Sequence, residues 1–278
     1  MANKIRTEKD KRTNDILLGP LERPALAFFA KNMPKWVNSD MLTVLGLLGS
    51  VLAAVAYAIV GTGSVKGNPW LFVASLGFVI NWFGDSLDGT LARYRNLSRP
   101  NYGYYTDHAI DGITSVLVFV GIGLSGIVEI NVALFAMSGW LLLMLQVYLK
   151  THATGVFEMT SIKLGPTEMR LVIIILNTVV YFLGAGKTLF ELPLRSQVIP
   201  FNLGTLVVGI FSILFLLYYI YQVITTGSKL AYEDGEALKK RQLEQSNVRK
   251  LTRPEKKAAK KVKKYAKGIH DNSTEVTI

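Results

Sequence analysis

Six stretches of this chain approach the roughly 20 consecutive apolar residues that a helix needs to cross a bilayer, and nothing else limits its fold as strongly. They run Met41–Val60, Trp70–Leu87, Ile110–Val128, Val132–Leu149, Leu171–Leu183 and Leu203–Ile224. The fifth is short and spans only if its helix begins near Thr167 and reaches Gly184 or beyond. Half of the 278 residues are hydrophobic, more than a soluble core of one domain needs, and lipid is the place for the surplus. The expected fold is all-α: a polytopic membrane protein with six transmembrane helices, an N-terminal interfacial amphipathic helix and a basic cytoplasmic tail.

The first forty residues are mostly polar and hold no apolar run before a small-residue cleavage site, so no signal peptide is expected. The chain has no cysteine, which excludes disulfides, thiolate metal sites and thiol nucleophiles. The net charge of +11 gathers outside the spans, around Lys4–Arg12 and from Lys229 onward. An even number of spans leaves both termini on one side, and positive charge makes that side cytoplasmic. The same rule places Arg93, Arg95 and Arg99, and then Lys150, Lys163 and Arg170, in the cytoplasm. The connections Gly61–Pro69 and Ser125–Asn131 carry almost no basic charge, as outward loops should; Ala185–Pro200, with Lys187 and Arg195, fits less well.

Three segments follow: a cytoplasmic N-terminal stretch over residues 1–19, a membrane domain over 20–225 and a basic tail over 226–278. Pro20–Trp36 sets Leu26, Phe28, Phe29 and Trp36 among Lys and Arg, which suits one short interfacial helix bracketed by Pro24 and Pro34, or a plain lead-in to the first span. In that first span Gly46, Gly49, Ser50 and Ala53 recur at a spacing that permits close helix contact. The lysine run Lys256–Lys267 suits anionic headgroups, at about 1 kcal/mol per basic residue, or a solvated tail that supplies only the topology signal. Nothing beside it has the stacking aromatics of a nucleic-acid module, so no nucleic acid is expected as a partner.

Carboxylates interrupt two spans where hydropathy predicts none. "NWFGDSLDGTLAR" closes the second and "GYYTDHAID" opens the third, giving Asp85, Asp88, Asp107 and Asp111. The i, i+3 and i, i+4 spacings put each pair on one helix face, and both helix ends lie on the same side, so one cavity can receive all four. A charge at the centre of a spanning helix costs roughly 2.5–3.5 kcal/mol on insertion scales, and four approach about 10 kcal/mol. Divalent cations remove that penalty, and hard oxygen ligands favour magnesium, manganese or calcium over zinc. The bland alternative has the aspartates marking helix ends and pairing with Arg93, Arg95 or Arg99; four carboxylates exceed what caps require.

Gly89 and Gly103 open the backbone to a substrate, and Arg93 offers a guanidinium to phosphate. Carboxylates, metal, glycine and arginine around one cavity describe phosphoryl-group transfer. Two metals about 3.5–4 Å apart would bridge a diphosphate and stabilise departing CMP. Asp111, deepest in its helix, is then free to accept the acceptor hydroxyl's proton.

The stretch Asp85–Asp111, "DSLDGTLARYRNLSRPNYGYYTDHAID", resembles the signature of CDP-alcohol phosphotransferases, D-x-x-D-G-x-x-A-R, a spacer, then G-x-x-x-D-x-x-x-D. All eight defining residues are present. The spacer departs from the pattern, with nine residues between Arg93 and Gly103 where the family usually has eight. Weaker resemblance extends over about residues 20–225. It implies six spans, a cytoplasm-facing cavity, Asp85, Asp88 and Asp107 as metal ligands, and Asp111 as ligand or base. It further implies that Gly89, Ala92 and Gly103 accommodate the cytidine nucleotide, and that homodimers are common. The expected cofactor is Mg2+ or Mn2+, as two ions.

The expected partners are a CDP-linked donor, an alcohol acceptor, the lipid bilayer and a second copy of the chain. Short length and six spans lean towards a CDP-diacylglycerol donor with a polar alcohol. "SRPNYGYYTDHAID" is similar instead to the branch that moves choline or ethanolamine phosphate to a lipid hydroxyl. Lys150 and Arg170, and less so Lys163, suit a phosphorylated acceptor, although ordinary positive-inside charge explains them nearly as well. His108 either orients a metal ligand or bonds a neighbour; His152 and His270 have no supporting constellation. A cation transporter would spread its acidic residues through the membrane depth, and a scaffold would have no reason to accept the cost of the aspartates.

Overall fold

A computed structural model of the chain describes residues 18–154, 166–185, 188–194 and 197–250, with residues 258 and 261. Lys4–Arg12, Lys163, Lys187, Arg195, His270 and all of the run Lys256–Lys267 except Ala258 and Lys261 lie outside the described residues. The order is α1 (Gly19–Asn32), α2 (Ser39–Val60), α3 (Trp70–Tyr94), α4 (Pro100–Leu124), α5 (Ile130–Thr154), α6 (Pro166–Leu183), β1 (Phe190–Leu194), β2 (Gln197–Phe201) and α7 (Leu203–Lys250). Six helices among the described residues, α2 to α7, are long and apolar enough to cross a membrane. Their outward faces are apolar: on α2, Val44, Leu48, Val51 and Val55 are exposed while Ser50 is buried, the arrangement that lipid requires and water does not.

The span edges shift for readable reasons. α4 begins at Pro100 rather than near Ile110, because "PNYGYYTDHA" is amphipathic and hydropathy alone passes over it; Pro100 occupies the first turn, where its missing N–H costs nothing. α6 begins at Pro166 and ends before Gly184, whose φ of +83° and N–H bond to the Val180 carbonyl at 2.7 Å close the helix. α1 begins at Gly19, so Pro24 lies inside it rather than at its edge, at the cost of one backbone bond. Between α6 and α7 the connection holds a small antiparallel hairpin, with Phe190 opposite Phe201 and their rings stacked 4.8 Å apart. The apolar run Leu203–Ile224 predicts a shorter last helix than α7.

The chain divides into two compact units, Met1–Tyr221 and Gln222–Ile278. In the second, the helical stretch is polar and carries Lys229–Glu233 and Lys239–Glu236 pairs one turn apart, at 3.9 and 2.9 Å, the i, i+4 and i, i+3 contacts that support an exposed helix.

In the first unit α2 lies against α3 backbone to backbone. A Cβ built on Gly49 falls 2.6 Å from the Asn81 nitrogen and 2.7 Å from the Gly77 carbonyl, and one on Gly77 falls 2.6 Å from the Gly49 carbonyl. Only glycine permits that approach. Below the crossing, Ala53, Tyr57, Phe78, Leu71 and Ala133 form one core. A buried polar chain crosses it, from the Tyr57 hydroxyl to Asn177 Oδ1 at 2.8 Å and from Asn177 Nδ2 to Ser75 Oγ at 3.0 Å, so α2, α6 and α3 satisfy one another's polar groups. Above it, Leu26, Ala30, Val37, Leu42, Leu87 and Leu91 bury one face of α1. The opposite face of α1 exposes Leu21 and Phe28, and Trp36 follows, as an interfacial helix should.

Overpacking typically costs about 1–3 kcal/mol, so Gly49→Ala and Gly77→Ala are each expected to lower thermal stability in detergent by that amount. Gly63→Ala, which places its Cβ more than 4 Å from other atoms, is expected to leave stability within about 0.5 kcal/mol. Equal melting of all three would show that the α2–α3 approach can relax at no cost.

Candidate active site

The site begins as two polar stripes on antiparallel helices. On α3, Asn81, Asp85 and Asp88 recur at i, i+4 and i+7; on α4, Asp107, Asp111 and Thr114 do the same. The turn between them is built by local rules. Leu97 N–H bonds the Ala92 carbonyl at 2.9 Å and Asn96 N–H bonds the Arg93 carbonyl at 3.1 Å, with Asn96 at φ +56°. That is a Schellman end with asparagine in the left-handed position, and Pro100 then starts α4. The nine-residue spacer is thus a helix end, a short link and the first turn of a helix.

The stripes face one small shared cavity. Asn81 and Asp85 line it from α3, Asp107, Asp111 and Thr114 from α4, and Thr43 and Gly46 from α2. Asp88 is not part of the lining; its carboxylate accepts a hydrogen bond from Thr43 Oγ1 at 2.5 Å and another from the Gly89 backbone N–H. Asp85 forms an ion pair at 2.6 Å with Arg170, which reaches in from α6 and is largely buried. Among the described residues no three His, Asp or Glu side chains are close enough together to hold an ion as they stand. Their chemistry, all hard oxygen, fits a divalent cation of the magnesium or manganese class.

Two of the three arginines expected to neutralise the aspartates as mere helix caps are engaged elsewhere. Arg95 donates to the Met33, Pro34 and Val37 carbonyls, tying the α1–α2 link to the end of α3, and Arg99 pairs with Asp40. Arg93 folds back one turn, with its guanidinium nitrogen 3.1 Å from where a Gly89 Cβ would stand and another nitrogen 3.2 Å from Thr90 Oγ1. Gly103 has open space around it, and Ala92 is half-buried beside Arg93. Lys150 sits near the end of α5 and is not part of the cavity lining. His108 packs between two tyrosines, with ring centres 4.2 Å from Tyr104 and 4.6 Å from Tyr148.

Some of this was invisible in the motif. Thr43 and Asn81 became site residues only when α2 and α3 met, although Asn81, a polar residue four before Asp85 in an apolar span, was a readable signal. Glu22 of α1 accepts from Trp82 Nε1 at 2.8 Å, Ser86 Oγ at 3.0 Å and Thr167 Oγ1 at 3.1 Å, so it clamps α3 and α6 beside Asp85. No spacing rule links residues so far apart in the chain.

Known proteins resemble part of this chain in sequence. The chain is 32% identical over 107 residues to cholinephosphotransferase 1 of Gallus gallus, covering 38% of this chain and 32% of that protein. It is 34% identical over 98 residues to the Danio rerio protein of that name, covering 34% of this chain and 25% of the relative. With the Xenopus laevis protein the match is 26% over 140 residues, 50% of this chain and 33% of the relative. The matched stretches thus span only a quarter to a third of these relatives' lengths. Residues 36–224, which run from before α2 into α7 and carry all four aspartates, match the family described as CDP-alcohol phosphatidyltransferase, and the chain belongs to that family.

Proposed function

We propose that the chain moves a phosphate-linked group from a CDP-alcohol to an acceptor hydroxyl, releasing CMP, as a step of phospholipid synthesis. The observation that carries this reading is the convergence of Asp85, Asp107 and Asp111 on one cavity between facing spans, inside the matched family stretch. Magnesium or manganese, when bound by Asp85, Asp88, Asp107 and Asp111, supplies charge neutralisation for the diphosphate and for the departing nucleotide. Asp111 receives the proton of the acceptor hydroxyl as its oxygen bonds to the phosphorus and the bond from that phosphorus to CMP breaks. Gly89, Ala92 and Gly103 leave the backbone open to the nucleotide, and Arg93 pairs with its phosphate. Arg170 holds Asp85 until substrate arrives and then turns to a phosphate. Lys150 remains a candidate for a phosphorylated acceptor from the far end of α5.

The topology carried with this reading places both termini and the carboxylates on the cytoplasmic side, in a homodimer. For the donor, the resemblance to proteins named cholinephosphotransferase favours CDP-choline with a lipid hydroxyl, against the CDP-diacylglycerol expected from chain length and span number.

Purified protein in detergent is expected to release CMP from CDP-diacylglycerol with a polar alcohol, or from CDP-choline with diacylglycerol, only with Mg2+ or Mn2+ present and not after EDTA. Asp111→Asn is expected to lower the rate by about 10²–10⁴, the usual worth of a positioned acid–base group. If neither donor yields CMP while the folded protein binds and passes divalent cations in vesicles, transport replaces transfer.

Charge-assisted hydrogen bonds contribute about 1.5–3 kcal/mol, so Arg170→Ala is expected to lower kcat/KM roughly 10- to 100-fold, with Arg170→Lys recovering part of the loss. An unchanged kcat/KM in both would leave Arg170 a structural partner of Asp85 alone.

A further inference from the structure

Beneath the carboxylates, one helical turn further into the bundle, lies a second polar layer that the transfer chemistry above does not use. Asn81 is 4% exposed. Its Nδ2 donates to the Gly46 carbonyl at 3.0 Å and to Ser50 Oγ at 2.9 Å, and Ser50 Oγ lies 3.2 Å from Thr114 Oγ1. Because the Gly46 carbonyl can only accept, the amide cannot be turned over, so Oδ1 is the atom left to face elsewhere. It is buried and has no hydrogen-bond partner among the described residues. Asn81 and Thr114 both line the cavity that holds Asp85, Asp107 and Asp111. A buried acceptor without a donor costs about 1–3 kcal/mol, so such an atom on a residue that lines a cavity points to an incoming donor.

The chemistry of the layer narrows what arrives. It carries no charge, so a cation settles on the carboxylates above it. A phosphate oxygen has no proton to offer Oδ1. Ser50 Oγ reaches both Thr114 Oγ1 at 3.2 Å and the Gly46 carbonyl at 3.3 Å; when its proton goes to Thr114, the Thr114 hydroxyl keeps a proton to give, and the layer then presents one acceptor and one donor, the complement of an O–H group. We propose that Asn81 and Thr114 form the seat of the acceptor alcohol's hydroxyl, beneath the carboxylates and next to Asp111. This rests on the transfer reading. A hydroxyl seated there is held against the amide in the waiting complex and turns its proton to Asp111 as it attacks. A resident water shares the same chemistry.

The test uses the full chain in detergent with CDP-diacylglycerol or CDP-choline, Mn2+, and glycerol 3-phosphate, inositol phosphate or diacylglycerol as acceptor. A neutral hydrogen bond is worth roughly a three- to tenfold change in affinity. Asn81→Ala is expected to raise acceptor KM by that factor, with donor KM and Mn2+ affinity within twofold of the parent. Thr114→Val, which keeps the Asn81 bonds to Gly46 and Ser50, is expected to do the same and serves where Asn81→Ala does not fold. Donor and acceptor KM rising together, or neither changing, overturns the seat; a change in kcat alone indicates a bound water, and weakened Mn2+ binding assigns Asn81 to the metal. A second readout needs no turnover: acceptor-induced rise in melting temperature of protein loaded with Mn2+ and CMP, expected in the parent and lost in both variants. If no pair of substrates releases CMP, the transfer reading fails. The seat is still judged by that rise, and equal rises, or none with any acceptor, overturn it.

Discussion

The approach of α2 to α3 at glycine is the contact on which the rest of the site depends. Because Gly49 and Gly77 bring the two backbones within reach of each other, the Gly46 carbonyl becomes a partner for Asn81 and Thr43 becomes a partner for Asp88. In lipid there is no gain from burying one apolar helix against another, so close packing and interhelical hydrogen bonds must supply the adhesion. The same small residues that make the bundle hold also bring α2's polar groups to a cavity whose carboxylates come from α3 and α4.

The cost of four carboxylates is spread rather than cancelled at one point. Asp85 has Arg170, and Asp88 has a threonine hydroxyl and a backbone amide. The two aspartates of α4 face the cavity itself. Asp85 and Asp88 thus each have a partner that a cation or phosphate can replace. Two of the arginines close in sequence serve another purpose. Arg95 and Arg99 fasten the ends of α1, α2 and α3, while the cation that meets Asp85 comes from 85 residues further along the chain.

Local information made the spans and the aspartate pairs legible. Apolar runs of the right length announced six helices, and i, i+3 and i, i+4 spacing put each pair of aspartates on one face. Legibility failed where amphipathic sequence is helical without being apolar, as in Pro100–Ala109 and the helix beyond Ile224. It failed too at the hairpin, whose strands are only five residues long, and at every contact between distant segments. Arg170 was readable as a basic residue on the right side, but its pairing with Asp85 was not. Asn81 lies on the extension of the α3 stripe, but a single asparagine in a span carries less cost than a carboxylate and so gives a weaker signal.

Glu22 shows how far the site extends beyond its motif. One carboxylate oxygen takes bonds from Trp82 and Ser86, which flank Asp85 on α3, and from Thr167, one turn before Arg170 on α6. Leu18 N–H, at the start of α1, reaches the buried Glu168 of α6 at 2.9 Å. The helix with exposed Leu21 and Phe28 is therefore joined by hydrogen bonds to both helices that carry the Asp85–Arg170 pair. Any displacement of α1 must either break those bonds or carry α3 and α6 with it. The spacing between Asp85 and Arg170 is thus set as much by a helix lying along the membrane surface as by the spans that bear the two side chains.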